Sequence, residues 1–250
     1  MEIIQKGQTQ GPKILCLSGM MTHWRGGYGG LGPLLEEKYQ VYYVKYDGAQ
    51  GEGTFTSIED QAAKVVQKVQ EIAGNQALYA YGSSMGANVL VEALKYPDFS
   101  CQLAFLDAPF LISFPHWLCR FLAKRLGQKV HEIIETKDPV ALEKLIRQQT
   151  DSEVHLELLK DYFDLDLSAK TIENQSYSCY RMRLDTSLQA SPAKPIFICG
   201  DQEKWALRSY KRLKKYRPDT DLYLFDQHDH LSKKLHGLHL YLELFQEFII

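Results

Sequence analysis

No stretch of this chain is apolar for long enough to span a bilayer, and no two cysteines are spaced as C-x-x-C. The first lack excludes a spanning helix on sequence grounds, because the hydrocarbon core asks for about 20 consecutive apolar residues. The second removes the commonest cysteine signature of zinc and redox sites. The five cysteines, Cys16, Cys101, Cys119, Cys179 and Cys199, are odd in number and scattered. Cys16, Cys101 and Cys199 fall in or beside apolar runs, where a thiol serves as a small hydrophobe. A reducing cytoplasm is the expected setting, and the sequon Asn174-Gln175-Ser176 then carries no meaning. The first residues, Met1 to Lys6, lack the basic region and long apolar stretch of a signal peptide. An excess of one charge is lacking too: 29 Lys and Arg stand against 31 Asp and Glu, for a net −2. Nothing global therefore favours nucleic acid or an anionic membrane. Repeats and low-complexity tracts are absent. What remains is a globular composition, 45% apolar over 250 residues, which fits one large domain or a domain with an inserted cap.

Apolar strand-like runs alternate with helical patterns along much of the chain, which predicts an α/β protein. Its sheet is expected to be mostly parallel and covered by helices on both faces. Strands are expected at Ile14–Leu17, Val41–Val44, Ala77–Tyr81, Leu103–Leu106, Pro195–Cys199 and Leu222–Phe225. A short helix is expected around Pro33 to Glu37. A longer one should open at Ser57 as N-cap, with Asp60 as the reciprocal acid. Its apolar stripe is Ala62, Val65, Val66, Val69, Ile72 and Ala73, and Gly74 ends it. The tail from His239 to Ile250 reads as a closing helix. Between Leu106 and Pro195 the pattern turns helical. Leu118, Phe121, Leu122 and Leu126 share one face; Asp138-Pro139 opens a helix carrying Leu142, Leu145 and Ile146; Val154, Leu158, Leu159, Tyr162 and Phe163 suggest another. Residues 110–191 thus read as a helical cap inserted into a core formed by 1–109 and 192–250. Of Phe110, Leu111, Phe114, Trp117, Leu118 and Phe121, most are assigned to the cap's own core, with a subset left to touch substrate.

The chemistry centres on Gly82-Ser83-Ser84-Met85-Gly86. A strand precedes it, and Ala87, Leu90, Val91 and Leu94 follow at helical spacing. A strand, a G-x-S-x-G turn and a helix thrust the central serine out on a sharp corner, so Ser84 is the candidate nucleophile. In an open parallel sheet, ligands bind beyond the carboxyl ends of the strands. Three further groups stand there: Ser18-Gly19-Met20, Gly200-Asp201-Gln202-Glu203 and Asp226-Gln227-His228-Asp229-His230. A serine hydroxyl needs a base near neutral pH, and imidazole needs a carboxylate to hold its tautomer. Serine, acid and histidine occur here in the chain order expected when the nucleophile sits on such a turn.

With these motifs the chain resembles the α/β-hydrolase superfamily, in the form that carries a helical cap between the family's sixth and seventh strands. The resemblance covers nearly the whole chain in strand–helix order, while its residue-level motifs lie in these four places. It implies Ser84 as nucleophile. It implies an acid three residues beyond the strand-end glycine Gly200, which is Glu203, with Asp201 as the alternate. It implies a histidine ahead of an apolar residue, which is His230 before Leu231, with His228 as the alternate. Two backbone N–H groups, those of Met20 and Met85, would form the oxyanion hole, although Ser18-Gly19 stands where many members have His-Gly.

The expected activity is hydrolysis of a small or medium-sized, largely apolar ester or thioester through an acyl-enzyme, without metal or organic cofactor. Serine at the nucleophile position argues against the carboxylate chemistry of haloalkane dehalogenases and epoxide hydrolases. Acyl transfer, carbon–carbon bond hydrolysis and amide hydrolysis use the same residues, and a ligand- or partner-binding scaffold without turnover is the other class of reading.

Other features read more plainly. His228, His230, His236 and His239 cluster in sequence, but no cysteine or carboxylate framework with metal spacing accompanies them, so no metal site is expected. The basic stretch from Lys204 to Arg217 reads as a solvated helix face behind Leu207, Tyr210 and Leu213. The glycines of Gly26-Gly27-Tyr28-Gly29-Gly30 read as a source of mobility beside the oxyanion loop, not as a phosphate site.

Overall fold

The computed structural model describes residues 1–74, 77–136, 162–230 and 232–249. Seven strands form one sheet: β1 (Glu2–Gly7), β2 (Lys13–Leu17), β3 (Gln40–Lys45), β4 (Leu78–Ser83), β5 (Leu103–Asp107), β6 (Lys194–Gly200) and β7 (Asp221–Phe225). Their spatial order is β1-β3-β2-β4-β5-β6-β7, and every neighbouring pair is parallel except β1 with β3. The six strands expected from the sequence are present. The antiparallel β1 was not expected, and the reason is physical. It is an edge strand whose Glu2, Gln5 and Lys6 stay partly or fully in solvent, so it shows no continuous apolar run.

Successive residues of the central strands enter opposite faces, as the period of two requires. Leu15, Leu17, Leu78, Ala80, Ala104, Leu106, Phe197 and Cys199 pack on one side, against helices α2 (Ile58–Ala73), α3 (Met85–Ala93) and α6 (Lys204–Tyr216). Ile14, Cys16, Tyr79, Tyr81, Phe105, Ile196 and Ile198 pack on the other, against α1 (Leu31–Glu36) and α8 (Leu238–Phe248). Both faces are dry, which is why these strands read as unbroken apolar runs. At the start of α2, the Ser57 hydroxyl accepts the Asp60 N–H at 3.2 Å. The Asp60 carboxylate takes Gln61 and Lys64 instead of returning to Ser57, so only half of the capping box forms.

The long insertion lies between β5 and β6. Its described helices are α4 (His116–Thr136) and α5 (Ala169–Tyr180). They approach closely because α4 offers small residues: Cys119, Ala123 and Gly127 form its buried stripe. A Cβ on Gly127 would already meet the Ala169 carbonyl at 3.3 Å. Leu118, Leu122 and Leu126 flank that stripe half-buried. Phe121 and Trp117, from the run read mostly as cap core, are 52% and 70% exposed. A face of small side chains made that difference, since it draws the helices together and leaves the bulky aromatics outside. The helix expected at Asp138, and the Val154, Leu158 and Leu159 part of the next one, lie outside the described residues. Tyr162 and Phe163, expected on that second helix, are not helical: Tyr162 sits in a turn and Phe163 forms an antiparallel bridge with Thr22, so backbone pairing to the loop after β2 took them out of the helical pattern. The glycines from Gly26 to Gly30 also differ from expectation. They form a tight 3-10 turn in which Gly27 and Gly30 lie against Thr22 and Leu238, a packed corner and not a loose loop.

Candidate active site

Ser84 sits between β4 and α3 with φ 53° and ψ −113°, a conformation that L-residues other than glycine rarely hold. Several contacts enforce it. The Ser84 N–H donates to the Asp107 carbonyl at 2.8 Å, tying the corner to the end of β5. A Cβ on Gly82 would stand 2.6 Å from the Gly86 backbone, and one on Gly86 would overlap the Leu17 carbonyl oxygen. Both glycines are therefore required by backbone-to-backbone approach.

The candidate acid and base come from the ends of β6 and β7. Glu203 follows β6 with its side chain only 7% exposed; its Oε2 lies 3.0 Å from His230 Nδ1, while its Oε1 accepts the Gly200 N–H at 2.9 Å. Burial pushes the Glu203 carboxyl upward, but the His230 hydrogen bond and the nearby Lys233 charge outweigh it and hold the group below its ordinary value. Asp201, the alternate acid, donates its backbone N–H to the Phe225 carbonyl, and its buried Oδ1 has no hydrogen-bond partner. His228, the alternate base, is turned away, with Nδ1 2.6 Å from the Asp226 carbonyl. Ser84, Glu203 and His230 line one cavity of about 460 Å³, together with Ala108, Pro109, Phe110 and Trp205. Its exposed surface is mostly apolar, with Gln202, Lys204 and Asp229 beside the reactive groups, as a site for a small organic molecule requires.

Met85 is the first residue of α3, so its N–H has no acceptor within the helix and lies at the positive end of the helix dipole. Met20 lies on the loop after β2, whose Gly19 approaches the Ser84 side chain. That loop is braced from the insertion, by residues the sequence did not single out. Gln175 Oε1 on α5 accepts the Met21 N–H at 3.1 Å, and Asp164 donates its N–H to the Met21 carbonyl at 3.0 Å. The Ser176 hydroxyl lies 3.2 Å from Met20 Sδ. Met21 itself holds φ 61°, and these bonds keep it there.

Among the described residues, no group of three or more His, Cys, Asp or Glu side chains is placed to hold a metal ion. His236 and His239 are exposed on the last two helices. Lys204, Arg208, Lys211, Lys214 and Lys215 are exposed as expected, with Leu213 buried and Leu207 and Tyr210 half-buried against the core. Arg212 and Arg217 depart from that reading: half-buried Arg212 donates to the Leu111 carbonyl, and buried Arg217 donates to the Leu188 and Ala193 carbonyls and pairs with Asp219, so both tie neighbouring loops instead of facing solvent.

No protein-family model matches the sequence, and no curated protein does either. Solved structures do match. A protein assigned to the α/β-hydrolase family from Desulfitobacterium hafniense superposes with a TM-score of 0.75 at 18% identity, over 98% of this chain and 99% of that one. The chain has the α/β-hydrolase fold. A carboxylesterase from the ammonia-oxidizing thaumarchaeon Nitrososphaera gargenis matches at TM-score 0.74 and 14% identity, over 98% of this chain and 92% of that one. An N-formylmaleamic acid deformylase from Pseudomonas putida matches at TM-score 0.70 and 16% identity, over 96% and 94%. Within this α/β-hydrolase fold, two buried charged residues beside the acid escaped the sequence reading. Lys233 and Asp107 have no exposed surface and meet at 2.7 Å. Lys233 lies in a Lys-Lys pair that looks like ordinary surface, and Asp107 closes an apolar strand, so neither carried a signal in one dimension.

Proposed function

We propose that this chain is a serine hydrolase acting on a small or medium-sized, largely apolar carboxylic ester or thioester. Ser84 Oγ attacks the acyl carbon as its proton passes to His230 Nε2. Glu203, bonded to Nδ1, keeps the imidazole in the tautomer that accepts at Nε2 and stabilises the imidazolium. The carbonyl oxygen becomes an oxyanion, which the Met20 and Met85 N–H groups receive. Collapse breaks the bond to the leaving oxygen or sulfur, which takes the proton from His230. Water then repeats the sequence against the acyl-enzyme: its proton goes to His230 as its oxygen adds to the acyl carbon, the Ser84 ester bond breaks as Ser84 Oγ takes that proton back from His230, and the carboxylic acid leaves. Neither a metal nor an organic cofactor enters the cycle.

The observation that carries this reading is the meeting of a serine in a strained corner with a histidine–carboxylate pair in one apolar cavity. Phe110 and Trp205 provide the surface for the acyl group. Residues 110–191 act as the cap over that cavity, and their α5 also braces the oxyanion loop. Five buried free thiols fit a protein of the reducing cytoplasm.

The test is labelling with a fluorophosphonate, mapped by peptide mass spectrometry, on wild type and Ser84→Ala. Modification at Ser84 that is absent from the variant is expected. A folded wild-type protein that takes no label sinks the reading and leaves a ligand-binding scaffold. A panel of esters, thioesters and amides of graded acyl length, with and without alcohol acceptors, then separates hydrolysis from acyl transfer and defines the bond cleaved.

A further inference from the structure

Lys233 is an ammonium with no exposed surface, on the short helix α7 (Ser232–His236) that follows His230. Its Nζ lies 2.7 Å from Asp107 Oδ1 and also contacts Glu203 Oε1. An isolated buried cation is strongly unfavourable, and only close, well-bonded carboxylates offset that cost. Here there are two. Burial alone would pull the Lys233 pKa down, yet Asp107 and Glu203 together raise it, so the side chain stays charged. Asp107 is satisfied on its other oxygen by the Tyr81 and Tyr241 hydroxyls, at 2.9 and 2.7 Å. Charges of alternating sign thus run from the end of β5 to the cavity: Asp107, Lys233, Glu203, His230.

We propose that Lys233 is a positioning residue, braced by Asp107, that locks Glu203 with Oε2 toward His230 and sets the pH at which His230 takes up a proton. The inference rests on the reading of His230 as the general base. With Oε1 held by Lys233 and the Gly200 N–H, the carboxylate cannot rotate away, and only Oε2 is left for the imidazole. The Lys233 charge opposes protonation of the imidazole and the Asp107 charge favours it, so removing one and removing the other should act in opposite directions.

The other groups around this chain of charges stay constant in the test. Lys234, on α7, contacts the Ser83 hydroxyl and lies 3.3 Å from the Tyr162 phenol. The Cys199 thiol on β6 is pushed up to about 12, chiefly by burial. Tyr81 and Tyr241 flank Asp107, and their phenols are held well above the ordinary value, first by burial and then by Asp107. Asp201, His228 and Asp229 stand on the adjoining loops.

The experiment is an NMR titration of the His230 ring, assigned with a His230→Gln variant, in wild type, Lys233→Met, Asp107→Asn and the double variant. Lys233→Met is expected to move the His230 midpoint up by about one pH unit and Asp107→Asn to move it down by about as much. The double variant should return it to within a few tenths of wild type, because the two removed charges cancel. Loosened packing would not produce opposite shifts that cancel. Single-variant midpoints that stay in place, or move in the same direction, overturn the proposal. If Lys233→Met does not fold, Asp107→Asn and the double variant decide: a downward shift that the double variant reverses supports the proposal, and its absence ends it. Fluorophosphonate labelling of the same proteins keeps the two readings apart. Opposite shifts of His230 with no label on Ser84 would leave the charge bridge standing and remove the hydrolase, while a labelled Ser84 with an unmoved His230 would do the reverse.

Discussion

Gly200 lies so close to His228 that a Cβ at Gly200 would overlap the His228 carbonyl oxygen. The same carbonyl accepts the Gln202 N–H at 3.2 Å. The loop that carries Glu203 and the loop that carries His230 are therefore fastened to one another through backbone, and the 3.0 Å contact of Glu203 with His230 depends on that fastening. Gly200→Ala must push the loops apart, since neither neighbour is a side chain that can swing aside. A loss of about 1–3 kcal/mol in stability is expected, as for other overpacked sites. The labelling rate of Ser84 in the protein that remains folded should fall at least tenfold, because a 1 Å misplacement in a catalytic array costs on the order of a hundredfold. Urea denaturation and timed fluorophosphonate labelling measure the two effects separately.

Ser84 at φ 53° stores backbone strain that its surroundings impose. A residue held in such a region costs about 1–3 kcal/mol, and glycine escapes most of it. Ser84→Gly is therefore expected to be more stable than Ser84→Ala by about 1 kcal/mol, after allowing for the extra freedom of glycine in the unfolded chain. The two variants equally lack the Ser84 hydroxyl, so neither should take the fluorophosphonate label. Urea midpoints at unchanged slope give the comparison; an alanine variant as stable as the glycine one would show the corner to be relaxed.

Gln175 reaches across from α5 to accept the Met21 N–H. Gln175→Leu keeps the volume and removes the acceptor, leaving that N–H unpaired at a cost of about 1–3 kcal/mol. The strained Met21 should then relax and carry Met20 out of line with the oxyanion. Because that interaction matures only in the transition state, kcat should fall tenfold or more while KM changes little. Steady-state kinetics on the best ester of the substrate panel checks it, and a rise in KM alone would place Gln175 in substrate binding instead.

Asp107 is fully buried, and although burial works to raise its pKa, Lys233, Lys234 and His230 bring it to about 2, against an ordinary 3.8. A carboxylate depressed in the folded state stabilises the protein above its unfolded pKa, and that contribution drains away as pH falls through the folded value. The window here runs from about pH 4 down to about pH 2, and the contribution is on the order of 2 kcal/mol. Glu203 is shifted in the same direction and adds to the effect. Urea midpoints of the wild type should fall steeply across that window. In Asp107→Asn the fall should be shallower, with lower stability at neutral pH.

How much of this was legible in one dimension differs from feature to feature. The dry strands announced themselves because both faces are covered, so each reads as an apolar run with no need to know its neighbours. The half-exposed β1 did not, since its partner β3 stabilises it through backbone pairing that leaves no mark on side-chain choice. Cap aromatics misled for a related reason: Trp117 and Phe121 look like core to any reading of hydrophobicity, but the small residues Cys119, Ala123 and Gly127 took the buried face.

The sequence by itself determined the alternation of strands and helices, the strand–turn–helix around Ser84, and the short list of acids and histidines at strand ends. Those follow from local periodicity and from glycines that the backbone needs nearby. Only the tertiary structure decided which acid meets which histidine, because Asp201 and Glu203 are two residues apart and differ in where the turn after β6 aims them. It alone brought Gln175 to the loop after β2 and joined Asp107 to Glu203 through Lys233, over separations of 154 and 126 residues for the bonds Met21–Gln175 and Lys233–Asp107. A buried charge is tolerable only when its partner arrives, and the arrival of a partner from so far along the chain is a property of the fold.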